Sequence, residues 1–134
     1  MRVLSGGSGG GSSIQQRGSY HVFESALIDF TAAPADVSFA IASGMTFFMD
    51  QAFLACTVFT SQTVQPTIRY GKTGSLAFFK AAYICTELSA LSTREWTNVF
   101  LSDLGVTTAV TAGITIAGSG VAYQGRFCIG GFLV

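Results

Sequence analysis

Charge is scarce in this chain. Of its 134 residues only 10% are Asp, Glu, Lys or Arg, against about a quarter in an ordinary soluble domain. Seven basic and seven acidic side chains cancel to a net charge of zero. Binding through phosphates needs clustered positive charge, so no nucleic-acid partner is expected. Histidine occurs once, as His21, so no metal cluster can be assembled around histidines and no metal or cofactor is expected. The three cysteines, Cys56, Cys85 and Cys128, are an odd number without a CxxC spacing. That excludes a disulfide framework and a zinc site, and leaves three small, buried, free and chemically quiet thiols as the expectation. No long leucine-rich run is present. The longest charge-free stretch, 104–125, is full of Thr and Gly and lacks the continuity of a membrane span. A membrane β-barrel would need an export signal and a polar lumen face. After Val3 and Leu4 the chain turns to glycine and serine without the apolar segment of a signal peptide. No membrane partner is expected, and assembly in a cytoplasm is.

Apolar residues are abundant instead, at 49%, with a mean hydropathy of +0.51. Disorder needs the opposite balance, so the body is folded, and the length suits one domain with a real core. A soluble monomer normally keeps its net charge away from zero. Much of this surface is therefore expected to be covered by other protein.

From Tyr20 onward the texture is that of β-structure. In 36–43 (DVSFAIAS), Val37, Phe39 and Ile41 alternate with Ser38 and Ala40. In 63–70, Val64, Pro66, Ile68 and Tyr70 alternate with Thr63, Gln65, Thr67 and Arg69. A period of two marks a half-buried strand. Further strands are expected over 20–30, 45–49, 52–60, 76–86, 96–101, 113–117 and 121–134, rich in Val, Ile, Thr, Phe and Tyr. Turn signals break these runs at about the 8–12-residue rhythm of sandwiches and barrels. Pro66 belongs on an edge or at a strand start. Only 87–95 could form a short helical turn, with a loop as the alternative. The expected fold is an all-β, antiparallel β-sandwich or jelly-roll-like domain over 20–134, preceded by a Gly/Ser-rich N-terminal arm over 1–19. Its expected core includes Val37, Phe39, Ile41, Val64, Ile68, Phe78, Ile84, Phe100, Phe127 and Ile129.

Motifs that would carry chemistry fail on inspection, and no catalytic residue is assigned. Gly71-Lys72-Thr73 ends like a phosphate-binding loop, but Pro66 stands where the first glycine is needed, so a hairpin turn is expected. Gly6-Gly7-Ser8-Gly9-Gly10 matches a nucleophile elbow in letters only, with no strand before it. Gly118-Ser119-Gly120 meets Tyr123 where a dinucleotide fingerprint needs glycine, and is expected to be a β-turn. His21 lacks a nucleophile and acid arranged around it and is expected at the surface or in an interface. Arg94 and Trp96, the latter the single tryptophan, form the pairing enriched at binding hot spots, with a core tryptophan as the competing reading.

The arm is expected to bind a partner through Met1, Arg2, Val3 and Leu4. Ordering thirteen residues costs on the order of 1 kcal/mol or more each, and the run from Gly6 to Gly11 holds five glycines, which lose the most freedom. Burying Val3 and Leu4 returns only about 1.5–3 kcal/mol apiece. Backbone hydrogen bonds must supply the rest, and addition of a strand to a neighbouring subunit's sheet edge is the expected source.

A Gly/Ser arm followed by about 115 residues of low-charge, Phe/Thr/Ala-rich β-structure resembles small accessory virion proteins of tailed bacteriophages, of the head-decoration or tail-associated β-sandwich type. The stretch from Gln65-Pro66-Thr67-Ile68-Arg69-Tyr70-Gly71 through the terminal apolar strand of 126–134 carries most of that resemblance. It is one of texture, over the body of the chain, and brings no catalytic residues. It implies a structural virion subunit, assembled in the host cytoplasm, that packs on a major capsid or tail protein as a homo-oligomer, with a trimer among the forms implied. The competing reading is a receptor- or glycan-binding head module of a tail or fibre, in which Trp96, Tyr70 and Tyr123 would be exposed.

Overall fold

The computed structural model describes residues 2–4, 19–32, 35–96 and 105–134. Among them every regular element is a strand. Six strands form one antiparallel sheet: β1 (Arg2–Leu4), β2 (Ser19–Glu24), β3 (Ile28–Asp29), β5 (Phe47–Val58), β9 (Arg94–Trp96) and β12 (Gln124–Leu133). Their order is β1-β2-β12-β5-β9, with β3 paired to the start of β12. A second antiparallel sheet has the order β4-β10-β7-β8, from β4 (Ala35–Ala40), β7 (Thr67–Lys72), β8 (Ser75–Ile84) and β10 (Ala109–Ile116). β6 (Ser61–Val64) and β11 (Ser119–Val121) make a separate two-stranded ribbon.

The two larger sheets bury their facing sides against each other, which is the expected sandwich. Phe47, Leu54, Phe127 and Ile129 from one sheet share a core with Phe39, Ile68, Tyr70, Val110 and Ile114 from the other. Tyr70 and Phe127 meet edge-to-face across it, their ring centroids 5.8 Å apart. The longest ladder joins β12 to β5 through ten registered pairs, from Gln124 opposite Val58 to Leu133 opposite Phe47. Gly125 lies in it because the backbones approach closely there. A Cβ at that position would sit 1.7 Å from the Ala55 carbonyl oxygen.

Chain order and pairing are nested. β2 pairs β12, β4 pairs β10, β5 pairs β9 and β7 pairs β8, each antiparallel. Four crossovers between the sheets consequently gather at one end: β2 to β4 through β3, β5 to β7 through β6, β8 to β9 over 85–93, and β10 to β12 through β11. Tyr123 ties the four together. It sits on the fourth crossover, packs edge-to-face on Phe30 of the first and Phe59 of the second, and donates its hydroxyl to the Leu88 carbonyl of the third.

Several expectations are corrected. The alternation over 63–70 is not one strand: Gln65 and buried Pro66 divide it into β6 and β7, which belong to different sheets. Val64 thereby falls on the ribbon and is exposed. Ile84, at the end of edge strand β8, is exposed as well, because that strand slips register twice along β7 and its last residue clears the core. Val37 and Phe78 are only half-buried, and Phe100 lies outside the described residues. The segments 45–49 and 52–60 are a single strand, continuous through a bulge at Asp50, since Gly130 faces Gln51 and Gly131 faces Met49. Ser119–Val121 is strand, not turn, and Gly118 donates its N–H to Phe30 O at 2.8 Å. Gly71-Lys72-Thr73 does lead into a hairpin, whose Gly74 takes φ 84°. The 87–95 segment is loop and turn up to Thr93 and strand from Arg94.

Replacing Tyr123 with Phe removes one hydroxyl and leaves the Leu88 carbonyl without that donor inside the protein. The expected loss is about 1–3 kcal/mol of folding free energy, read as a lower urea midpoint at unchanged m-value. An unchanged midpoint would show that the crossovers are held elsewhere.

Candidate functional site

Strand alternation decides what β9 offers. Arg94 and Trp96 point outward from the six-stranded sheet, so Glu95 between them must point inward. Trp96 lies opposite Phe53 and Arg94 opposite Ala55. The indole is 52% exposed and packs on the Phe53 ring at 4.7 Å between centroids. The Arg94 guanidinium lies over the same Phe53 ring, 5.6 Å from its centroid. One strand further in, Arg126 also faces Ala55, ion-paired with Glu24 at 3.2 Å and donating to Ser25 O at 3.0 Å. Two arginines thus flank a Trp–Phe pair on the outer face of the sheet, its indole exposed and its phenyl ring half-buried. This is the composition of an interface centre, and the competing core position for Trp96 is not what the fold gives it.

The same face continues toward the other edge. Tyr20 of β2 donates to Asp50 Oδ1 at 2.7 Å and stands edge-to-face with Phe132 at 5.2 Å. Gln51 donates to the Tyr20 hydroxyl. The bulge at Asp50 makes this possible, since the extra residue turns its carboxylate toward β2. Beyond Tyr20 lies β1, with Arg2, Val3 and Leu4 in register with Val22, His21 and Tyr20 of the same chain. β1 thus lies on an edge of the chain's own sheet, where the expectation had placed it on a neighbouring subunit's. Met1 lies outside the described residues. β1 and β9 stand at opposite edges of one sheet, four strand spacings or about 19 Å apart. The two candidate partner-binding features are not brought together.

Glu95 is the residue that sequence reasoning missed. Its side chain is 2% exposed, accepts from the Tyr83 hydroxyl at 2.9 Å and from the Glu87 backbone N–H, and so ties β9 to β8 and the crossover between them. The signal was present: a glutamate between two outward residues of a strand has only the interior to enter. His21 is also corrected, being buried and not a surface group. It shares its side of β2 with Phe23, stacks on that ring at 6.0 Å and contacts Ser19 Oγ through Nε2 at 2.7 Å. Asp29 pairs with the start of β12 at Gln124, seven positions from the Gly131 that faces His21. No pocket opens among the described residues, and no group of three metal-ligating side chains occurs among them.

The three cysteines are buried and unbridged. Burial pushes the thiols of Cys56 and Cys85 up and takes that of Cys128 up to about 11, so little thiolate exists at neutral pH. Tyr70 and Tyr123 are fully buried, leaving Trp96 alone of the three aromatics that a recognition head would expose.

No family model matches the chain, and no curated protein matches it. Among solved structures, a chain of the "Cyanophage Pam1 capsid asymmetric unit" is 20% identical, with a TM-score of 0.49 over 98% of this chain and 93% of that one. Two chains alike to that degree need not share a role.

Two outcomes are expected. Glu95→Gln keeps the shape but replaces one acceptor by a donor, so it should cost about 1–3 kcal/mol; Tyr83→Phe, which leaves the Glu87 N–H in place, should cost less. An unaltered denaturation midpoint in Glu95→Gln would mean that the carboxylate is not holding the crossover. The second outcome concerns alkaline pH. Burial, and then the hydrogen bonds to Asp50 and Glu95, push the Tyr20 and Tyr83 phenols from 10.0 up to about 12, and Tyr123 is raised too. The folded state therefore keeps protons that the unfolded chain releases. The stability they contribute is complete below pH 10 and is lost as pH rises toward 12. Urea midpoints measured across that window should fall; a flat profile would contradict the assignment.

Proposed function

We propose that this chain is a structural subunit of a bacteriophage particle, a capsid-decoration or accessory protein that packs on neighbouring subunits and strengthens the particle through its N-terminal arm. The observation that carries this reading is the nested pairing of the eight principal strands. A long antiparallel hairpin paired first-to-last, second-to-seventh, third-to-sixth and fourth-to-fifth, then rolled so that its strands fall into two sheets, is the double Greek key of a jelly roll, an architecture of viral capsid and lectin domains. A fold alone does not decide a role. The low charge and the exposed apolar side chains favour assembly.

In the particle, β1 would take on a neighbour's β2 the place it holds on its own. Adjacent antiparallel strands need a connection of only about 2–5 residues, whereas fourteen separate Leu4 from Ser19. Fully extended, that length spans about 46–50 Å, enough to reach another subunit. The role proposed here is one of binding and packing, without catalysis. Trp96 supports the second reading, a glycan- or receptor-binding head, because an exposed indole beside arginine is also what a recognition face presents.

The test uses particles. A chain lacking residues 1–13 should fold, with an unchanged β-type circular dichroism spectrum, yet co-sediment with particles more weakly than the full chain. Equal co-sedimentation would remove the arm from the mechanism, and absence of the full chain from particles would remove the structural role. Trp96→Ala should leave incorporation intact; if it abolishes attachment of particles to cells, the recognition reading takes precedence.

A further inference from the structure

The end of the sandwich where the four crossovers meet is unusually apolar for a surface. Among the described residues twelve large hydrophobic side chains are exposed, and seven of them lie here. Every crossover contributes, on its own length or at the strand end that leads into it: Leu27 on the first, Val64 on the second with Val58 leading in, Leu91 on the third with Ile84 leading in, and Val121 on the fourth with Ile116 leading in. Ile84 and Ile116 flank the same residue, Thr67, on neighbouring strands, and both are more than 60% exposed. Soluble monomers rarely show a contiguous apolar patch beyond a few hundred Å².

We propose that this end is the surface through which a second copy of the chain packs. Three observations select that occupant. The second and fourth crossovers, 59–66 and 117–123, carry no charged residue at all. Asp29 and Glu87 are the exposed charges of the other two crossovers; the uncharged pair can face its own copy with no like-charge repulsion, the requirement of a self-complementary contact. A phosphate-rich or charged partner would find nothing there to pair with. The second observation is size. Seven half-exposed aliphatic side chains are the right order for the core of an interface that needs about 800 Å² from each partner. The third is the ribbon itself. Two strands of four and three residues gain little from their mutual pairing, yet they hold Val64 and Val121 out in water, with Thr63 and Ser119 hydroxyls joined at 2.6 Å between them. Cover from a like ribbon would bury both valines.

This inference goes beyond the particle reading and does not need it, because it concerns the purified chain. The experiment is sedimentation velocity of the full chain across a hundredfold range of concentration, beside Ile84→Asp, Ile116→Asp and Trp96→Asp, with circular dichroism to check folding. The wild type and Trp96→Asp should sediment as an oligomer, and both isoleucine variants should fall to the single-chain mass while keeping the β-type spectrum. Val64→Ser, a milder change on the ribbon, should weaken association at least tenfold and guards against a folding defect in the aspartates. A wild type that is monomeric throughout overturns the proposal. So does an oligomer that survives both isoleucine changes, or one that only Trp96→Asp dissolves. Failure to join particles, with self-association intact, would count against the virion role alone.

Discussion

Four chain crossovers have to be held at one end of this sandwich, and they are held at Tyr123. The nested topology pairs residues far apart in sequence, such as Cys128 with Glu24, and each such pairing carries loop-closure entropy before it returns any contact energy. Tyr123 offsets that cost at a single point. Its ring touches aromatic groups from two crossovers, its hydroxyl reaches a third, and its own carbonyl accepts the Phe30 N–H at 2.9 Å. A phenol is well suited to the place. It brings a large apolar body to a buried junction and one polar atom to satisfy a carbonyl that the loop would otherwise leave unpaired.

Glu95 serves the third crossover in the same manner, with the polarity reversed. A buried carboxylate is costly unless its oxygens are hydrogen-bonded. Here a phenol and a backbone amide supply the bonds, so the cost becomes a constraint on loop position. Strand alternation then makes the buried Glu95 and the exposed Arg94 and Trp96 consequences of one geometry. The residue that anchors β9 inward is flanked by the two that present its outer face.

How much of this could be read from the chain depends on whether a residue's environment is set locally. The inward positions of β4, β7 and β12, such as Phe39, Ile68, Phe127 and Ile129, follow from alternation, and the all-β architecture follows from the turn rhythm. Where alternation continues across a change of sheet it misleads. Val64 and Ile68 share a parity, but Pro66 redirects the chain between them, so one is on the ribbon and the other in the core. The opposite error occurs at Asp50, where a bulge hides the continuity of β5 behind a broken period. Tyr70 and Tyr123, which a recognition head would expose, are both interior. Their phenols gave no local sign of it, because the neighbours that bury them come from other crossovers and the opposing sheet.

The scarcity of charge has a spatial counterpart. Among the described residues the ion pairs sit on the outer faces, Arg69 with Asp36 at 2.8 Å on one sheet and Arg126 with Glu24 on the other. Side chains on those faces alternate with core residues, so each can be polar without disturbing the interior. The crossover end has no such alternation to exploit. Its loops turn inward to bury Phe30, Leu88 and Tyr123, and leave aliphatic Leu27, Val64, Leu91 and Val121 exposed among polar side chains. A chain under pressure to remain monomeric would place lysine or glutamate at the positions of Ile84, Ile116 and Val121, where no packing forbids them. Nothing in their burial requires those side chains to be apolar, and that is the argument for the self-association proposed above.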